Sequence, residues 1–206
     1  MKNIRLISID PGIVITGFSI LDFQKSKIKL IAYGTIKPKK KDRIEKRLLH
    51  LHDEILSIIK KFDPSVMAIE DSFYGKNVKS TVILGQARSA MMLAGAKLNL
   101  DIFQFAPRKI KQSLCGNGSA SKEQVQFMVS NILKLESLPK PIDITDAMAV
   151  GICFVNNYNT IFKFVVNGEK EWKEIQTLYL PIIEKEKIYL MPAGEDQELL
   201  KETKQT

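Results

Sequence analysis

Four carboxylates are spaced so that a folded chain could bring them to one place. Asp10 closes the β-favouring run Ile4-Arg5-Leu6-Ile7-Ser8-Ile9 and is followed at once by Pro11-Gly12, which punctuates a strand end. Glu70 closes the shorter run Val66-Met67-Ala68-Ile69 in the same way. Asp143 and Asp146 stand three apart in a helical pattern and so share a face. Several acids at one sheet end repel each other unless a cation sits among them. Hard oxygen donors suit Mg²⁺ or Mn²⁺, and two such ions can activate a water and stabilise the leaving oxygen of a phosphodiester. Each acid also has an ordinary explanation on its own. Asp10 could start a turn, Glu70 could be an exposed strand end, Asp143 could be a helix N-cap, and Asp146 could simply favour the helix dipole.

The elements that must position these acids follow from periodicity. Residues 4–9, 13–21 and about 27–36 read as three strands joined by short turns, an antiparallel meander. A basic connector, Lys-Pro-Lys-Lys-Lys-Asp-Arg-Ile-Glu-Lys-Arg over residues 37–47, leads into a helix of about 42–61 with Ile44, Leu48, Leu51, Ile55, Ile58 and Ile59 near the 3.6 period. That charge run reads either as a solvated face or as a DNA contact. A strand at 66–70, a helix at about 78–98, a strand at 101–105 and a helix at about 108–114 come next. Ser121-Lys122-Glu123-Gln124 has the form of a capping box and opens a helix to about Leu135. Leu138-Pro139-Lys140-Pro141 is a rigid linker, and a last core helix spans about Asp143 to Asn156. This order predicts an α/β fold, a mixed five-stranded sheet flanked by helices, consistent with an RNase H-like arrangement. Ile161–Val166 and Leu178–Leu190 read as strands of a small β-rich C-terminal extension, followed by a disordered polar tail from about Gly194. The predicted domains are therefore residues 1–157 and 158–206.

The 206 residues carry a formal charge of +8 with a pI near 9.3, which suggests a polyanionic partner. Residues 158–206 hold seven Lys against nine Asp or Glu, so the preceding part carries +10. The apolar run at the N-terminus is too short for a signal peptide, and no long apolar stretch suggests a membrane span. A cytoplasmic protein is expected. Cys115 and Cys153 fit no metal spacing and read as reduced, packed thiols.

The matches then accumulate in order: Ile9-Asp10-Pro11-Gly12 with Thr16-Gly17, Ala68-Ile69-Glu70, Phe73 through Lys76-Asn77, Leu84-Gly85-Gln86-Ala87-Arg88, Lys111-Gln112, Gly116-x-Gly118-Ser119-Ala120, Lys122, Gln124-Val125-Gln126 and Asp143-x-x-Asp146-Ala147-Met148-Ala149. Residues 4–157 resemble, along nearly their whole length, the RuvC family of bacterial Holliday junction endonucleases. The resemblance implies that Asp10, Glu70, Asp143 and Asp146 bind the metal, with Mg²⁺ expected at two per subunit and Mn²⁺ able to substitute. It implies a homodimer that cuts two strands of a four-way DNA junction symmetrically, in recombination and repair, and it leaves a branch-migration helicase complex as a further partner. Lys111 and Lys122 match basic residues near the scissile phosphate, where a lysine can neutralise charge. Read without the family, both are ordinary solvated helical lysines.

Phe73, in the stretch Ser72-Phe73-Tyr74-Gly75, matches an aromatic that stacks on an unpaired base; packing of the loop onto the core is the alternative. Tyr74, Lys76 and Arg108 complete the expected DNA contacts, with Arg88 touching either the DNA backbone or the partner subunit. Asp71 is an extra acid with no assigned role, expected to point away from the metals, and the residues after Asn157 have no counterpart in the family core. Three other readings share some of these features. Actin-like ATPases and sugar kinases share the Asp-Pro-Gly…Thr-Gly pattern but need a duplicated domain and a second phosphate loop. A related RNase H-fold nuclease on another substrate would keep the same acids. A junction-binding protein without cleavage would gain only repulsion from them.

Overall fold

The computed structural model describes residues 3–24, 27–71 and 78–166. The elements are β1 (Ile4–Asp10), β2 (Thr16–Gln24), β3 (Lys27–Ile36), α1 (Ile44–Phe62), β4 (Val66–Glu70), α2 (Val78–Lys97), β5 (Asp101–Phe105), α3 (Pro107–Cys115), α4 (Lys122–Leu133) and α5 (Asp143–Val166). The five strands form one sheet in the order β3-β2-β1-β4-β5. The meander pairs antiparallel, while β4 and β5 join β1 in parallel. The predicted mixed sheet is therefore the sheet observed.

The period-two alternation of the central strands decides which residues face which layer. Ile7 and Ile9 of β1, and Met67 and Ile69 of β4, join Leu51, Ile55 and Ile59 of α1 and Ala87, Met91 and Ala94 of α2 in one buried cluster. Their neighbours Ser8 and Asp10, and Ala68 and Glu70, belong to the opposite face. That face is covered by α5: a Cβ added at Gly151 would lie 2.5 Å from Leu21 Cδ1 and 2.8 Å from Ser8 Oγ. Ser8 and Ser19 hydroxyls, both fully buried, satisfy each other at 2.6 Å beneath this helix. Phe154 of α5 anchors the layer, with its ring 5.8 Å from Phe23 and 5.1 Å from Phe103. Burying such a ring stabilises the fold by roughly 1.5–3 kcal/mol.

Two elements differ most from the sequence reading. Strand β2 runs from Thr16 to Gln24 rather than over residues 13–21. The Thr16 hydroxyl donates to the Gly12 carbonyl at 2.7 Å and accepts from the Gly12 N–H at 3.1 Å, so residues 13–15 stay in the closed loop despite their β-favouring types. The second correction concerns the predicted strand Ile161–Val166, which is helix, because α5 runs unbroken past Asn156 to Val166. Asn156 and Asn157 do not terminate it. Asn157 Nδ2 donates back to the Cys153 carbonyl at 2.7 Å, and Asn156 Nδ2 to the Ser113 carbonyl at 3.2 Å, tying the helix to α3. By internal contacts the chain divides into Met1–Asn159 and Thr160–Thr206. The expected strand Leu178–Leu190 and the expected tail lie outside the described residues.

Candidate active site

The parallel pairing of β1 with β4 sets Ile9 beside Ile69, so the next residues, Asp10 and Glu70, end adjacent strands on the α5 face. Asp10 is also paired with Gly17 across β2. Gly17 is where α5 arrives: a Cβ at this position would collide with the carbonyl group of Asp143 and come within 3.1 Å of the Ile144 nitrogen. Backbone thus meets backbone, and the first turn of α5 is set directly against the row that carries Asp10. Asp143 is not the N-cap. The Ile142 carbonyl accepts from the Asp146 N–H at 3.0 Å and from the Thr145 hydroxyl at 2.7 Å, which makes Ile142 the cap and leaves the Asp143 carboxylate uncommitted to capping.

The four acids line one open cleft of about 380 Å³, together with Lys111 of α3 and Lys122 of α4. Lys122 is fixed at the first position of its helix by a complete capping box: Ser121 Oγ accepts from the Gln124 N–H at 3.3 Å and Gln124 Oε1 from the Ser121 N–H at 2.8 Å. Its ammonium then reaches Asp146 Oδ2 at 3.4 Å. Pro107 and Ile110 of α3, Val125 of α4 and Ala149 of α5 supply apolar wall.

The electrostatics are those of crowded acids. Burial, then repulsion from Glu70, Asp146 and Asp143, pushes the Asp10 carboxyl up to about 8. Burial and the Asp146 charge raise Glu70 to about 7, against the pull of Lys122, a hydrogen bond with Asp10 and Lys111. Asp146 is raised chiefly by burial despite its lysine partner, and Lys122 is raised chiefly by Asp146. Among the described residues no three His, Cys, Asp or Glu side chains form a ready-made metal cage. The donor set nonetheless fits a hard divalent cation, being four carboxylates from three elements around one solvent-open space. Mutual repulsion and the Lys122–Asp146 pair account for acids that share a cleft without closing on a centre.

Phe73, Tyr74 and Lys76 lie outside the described residues. Arg88 is not brought to the cleft. Its Nη1 donates to Asp71 Oδ1 and, at 2.7 Å, to Gln104 Oε1, which ties α2 to the ends of β4 and β5. Asp71, the acid left unassigned by sequence, is thereby engaged by Arg88 and is not a cleft residue. Arg108 is exposed on the first turn of α3 and lies over Gly118, where a Cβ would come within 2.6 Å of its Cγ. Sequence reasoning missed the positioning role of Gly17, although the residue stood in a matching motif. It also missed Arg47, whose Nη2 donates to the Ile13 carbonyl at 2.6 Å and pins the loop after Asp10 to α1.

Comparison with known proteins identifies the family. The profile described as crossover junction endodeoxyribonuclease RuvC matches residues 6–154. A RuvC from Halothermothrix orenii is 39% identical over 163 residues, covering 79% of this chain and 99% of its own. One from Caldicellulosiruptor saccharolyticus is 40% identical, covering 76% of this chain and 95% of its own. Among solved structures, Thermus thermophilus RuvC in complex with a Holliday junction substrate superimposes with a TM-score of 0.72 at 26% identity, covering 76% of this chain and 96% of that one. With the profile spanning most of the sequence and relatives near 40% identity covering three quarters of it, the chain belongs to the RuvC family of crossover junction endodeoxyribonucleases.

Proposed function

We propose that this protein is a Mg²⁺-dependent endonuclease that resolves Holliday junctions by paired, symmetric nicks in recombination and repair. One observation carries the reading: Asp10, Glu70, Asp143 and Asp146, drawn from β1, β4 and α5, line a single cleft with Lys111 and Lys122. The reaction is hydrolysis, in which water attacks a phosphodiester in line and the 3′ oxygen leaves. The four acids would hold the cation, two Mg²⁺ per subunit with Mn²⁺ able to replace them. When bound, it supplies Lewis-acid polarisation of the phosphoryl oxygen and a more acidic water.

The chain's own residues do the rest. Asp10 and Glu70, held on a central sheet, define the position of the reacting phosphate relative to α5. Lys122 and Lys111 bring positive charge to the cleft, against the phosphate's own charge and that developing in the transition state. The apolar wall of α3 and α4 lowers the local dielectric on one side of the cleft, which strengthens those interactions.

The proposal includes a homodimer, since symmetric nicking needs two clefts. Helix α2 supports it: Val78, Val82 and Leu93 are 73%, 54% and 64% exposed, and Gly85 between them has nothing within 4 Å of where a Cβ would be. An apolar stripe with a small residue suits close approach of a second helix. Paired Val82→Glu and Leu93→Glu substitutions are expected to yield a monomer by light scattering that nicks junctions singly; a dimer with paired nicks would put the interface elsewhere. A cytoplasmic setting suits this role, and no described helix is long and apolar enough to cross a membrane.

The function is tested with a four-way junction, a linear duplex and a hairpin RNA–DNA hybrid, each given wild type and Asp143→Asn, with Mg²⁺ and with chelator. Paired metal-dependent nicks on the junction alone, absent from Asp143→Asn while binding persists, are expected. Cutting of the hybrid or duplex instead would keep the chemistry and discard the substrate. Binding without cutting in either Mg²⁺ or Mn²⁺ would remove the enzyme.

A further inference from the structure

We infer that the basic connector between β3 and α1 is a second phosphate-binding surface, one that holds a duplex arm of the junction beside the cleft; this rests on the DNA-cleaving function proposed above. The connector contains Lys37, Lys39, Lys40 and Lys41, all exposed. None of the four forms an ion pair among the described residues, whereas the next cation, Arg43, is engaged by Glu45 at 2.9 Å. Four unneutralised charges within five residues repel one another, and a polyanion relieves that repulsion.

A charge run is usually a solvated face, and what distinguishes this one is where the fold puts it. The sheet register places Thr35 beside Gly17 and Gly17 beside Asp10, so the three lie in one row across β3, β2 and β1. At the usual strand spacing Thr35 is about 10 Å from Asp10, and the connector begins two residues later at the same sheet end. The segment is also anchored. Ile36 and Pro38 are buried, and the Asp42 N–H donates to the Lys39 carbonyl at 3.0 Å to close a turn. Arg47, just beyond, donates to the Ile13 carbonyl at 2.6 Å and couples the start of α1 to the loop that follows Asp10. A lysine run whose backbone is anchored at the sheet end that carries Asp10 is placed to meet the backbone of a duplex whose strand enters the cleft. Such contacts set orientation and affinity without reading sequence.

The test measures junction affinity of the full chain by fluorescence anisotropy in chelator across a series of salt concentrations, and nicking in Mg²⁺ at saturating junction. The variants are Lys37→Gln/Lys39→Gln/Lys40→Gln/Lys41→Gln together, the same four changed to Arg, and Lys39→Gln and Lys41→Gln singly, each checked for an unchanged melting temperature. Each phosphate that is no longer neutralised is expected to lower the slope of log Kd against log salt by about 0.9, so the quadruple Gln variant loses roughly 2–4 and each single variant about 0.9 at most. The Arg variant keeps the wild-type slope and affinity. A quadruple Gln variant with wild-type slope and affinity, beside a wild type that binds and nicks, would show the connector to be a solvated face and leave the nuclease standing. A wild type that neither binds nor nicks the junction would overturn the function and this surface with it.

Discussion

Asp10→Asn is expected to lower junction nicking by on the order of 10²–10³-fold while raising the stability of the metal-free protein. The two effects have one cause. Asp10 sits where burial and three neighbouring acids push its carboxyl up to about 8. A carboxyl whose pKa is higher folded than unfolded contributes stability below its ordinary value near 3.8, and that stability is lost as pH rises through about 8. In chelator, wild type should therefore lose stability steadily between about pH 4 and 8. Asn keeps the shape without the charge, so the variant should show a flatter profile over that window, with a residual slope from Glu70 and Asp146, both also raised. Adding Mg²⁺ should stabilise wild type more as pH rises, because cation and proton compete for the same oxygens. Thermal melts at several pH values, with chelator and with Mg²⁺, together with nicking assays, check all of this. A variant equal to wild type in its pH profile would mean that Asp10 is not held among the other acids as described.

Gly17→Ala should disable the enzyme without touching an acid. The added methyl would collide with the Asp143 carbonyl group, backbone against backbone, where no side chain can rotate aside. Either β2 or the first turn of α5 must move. Overpacking of this kind costs about 1–3 kcal/mol, and displacement of a catalytic group by about 1 Å can cost 10²-fold in rate. Nicking measured well below the variant's melting temperature should thus fall by roughly 10²-fold, with junction affinity in chelator within about threefold of wild type because phosphate contacts dominate binding. A lowered melting temperature with an unchanged rate per folded molecule would make Gly17 a packing residue only. The same comparison with Gly151→Ala, which meets Leu21 and Ser8 side chains further along the helix, should show more stability loss and less rate loss.

Much of this was legible in the residues because it is local. A strand that ends in Asp-Pro-Gly, a capping box at Ser121 and an Asp pair three apart are patterns of one or two turns, and the β3, β4 and β5 boundaries follow from short apolar runs with breakers at each end. Alternation alone puts Asp10 on the face opposite Ile9, and Glu70 opposite Ile69. Strand preference misled in two places where another local structure won. Residues 13–15 favour a strand, yet the Thr16–Gly12 hydrogen bonds hold them in a loop, and Ile161–Val166 favour a strand yet continue α5.

What only the tertiary structure decided is which faces meet. No periodicity says that β4 adds in parallel beside β1, which brings Glu70 to Asp10 from sixty residues away. None says that α5 crosses the sheet at Gly17, that Arg88 is taken by Asp71 and Gln104 rather than by the cleft, or that the lysines after β3 leave the sheet at the end that carries Asp10. Those outcomes depend on contacts between segments far apart in the chain, whose free energies are settled by packing and charge in three dimensions. The chemistry of this protein was written in its residue types; its geometry came from the sheet order and from one glycine narrow enough to let a helix touch a strand.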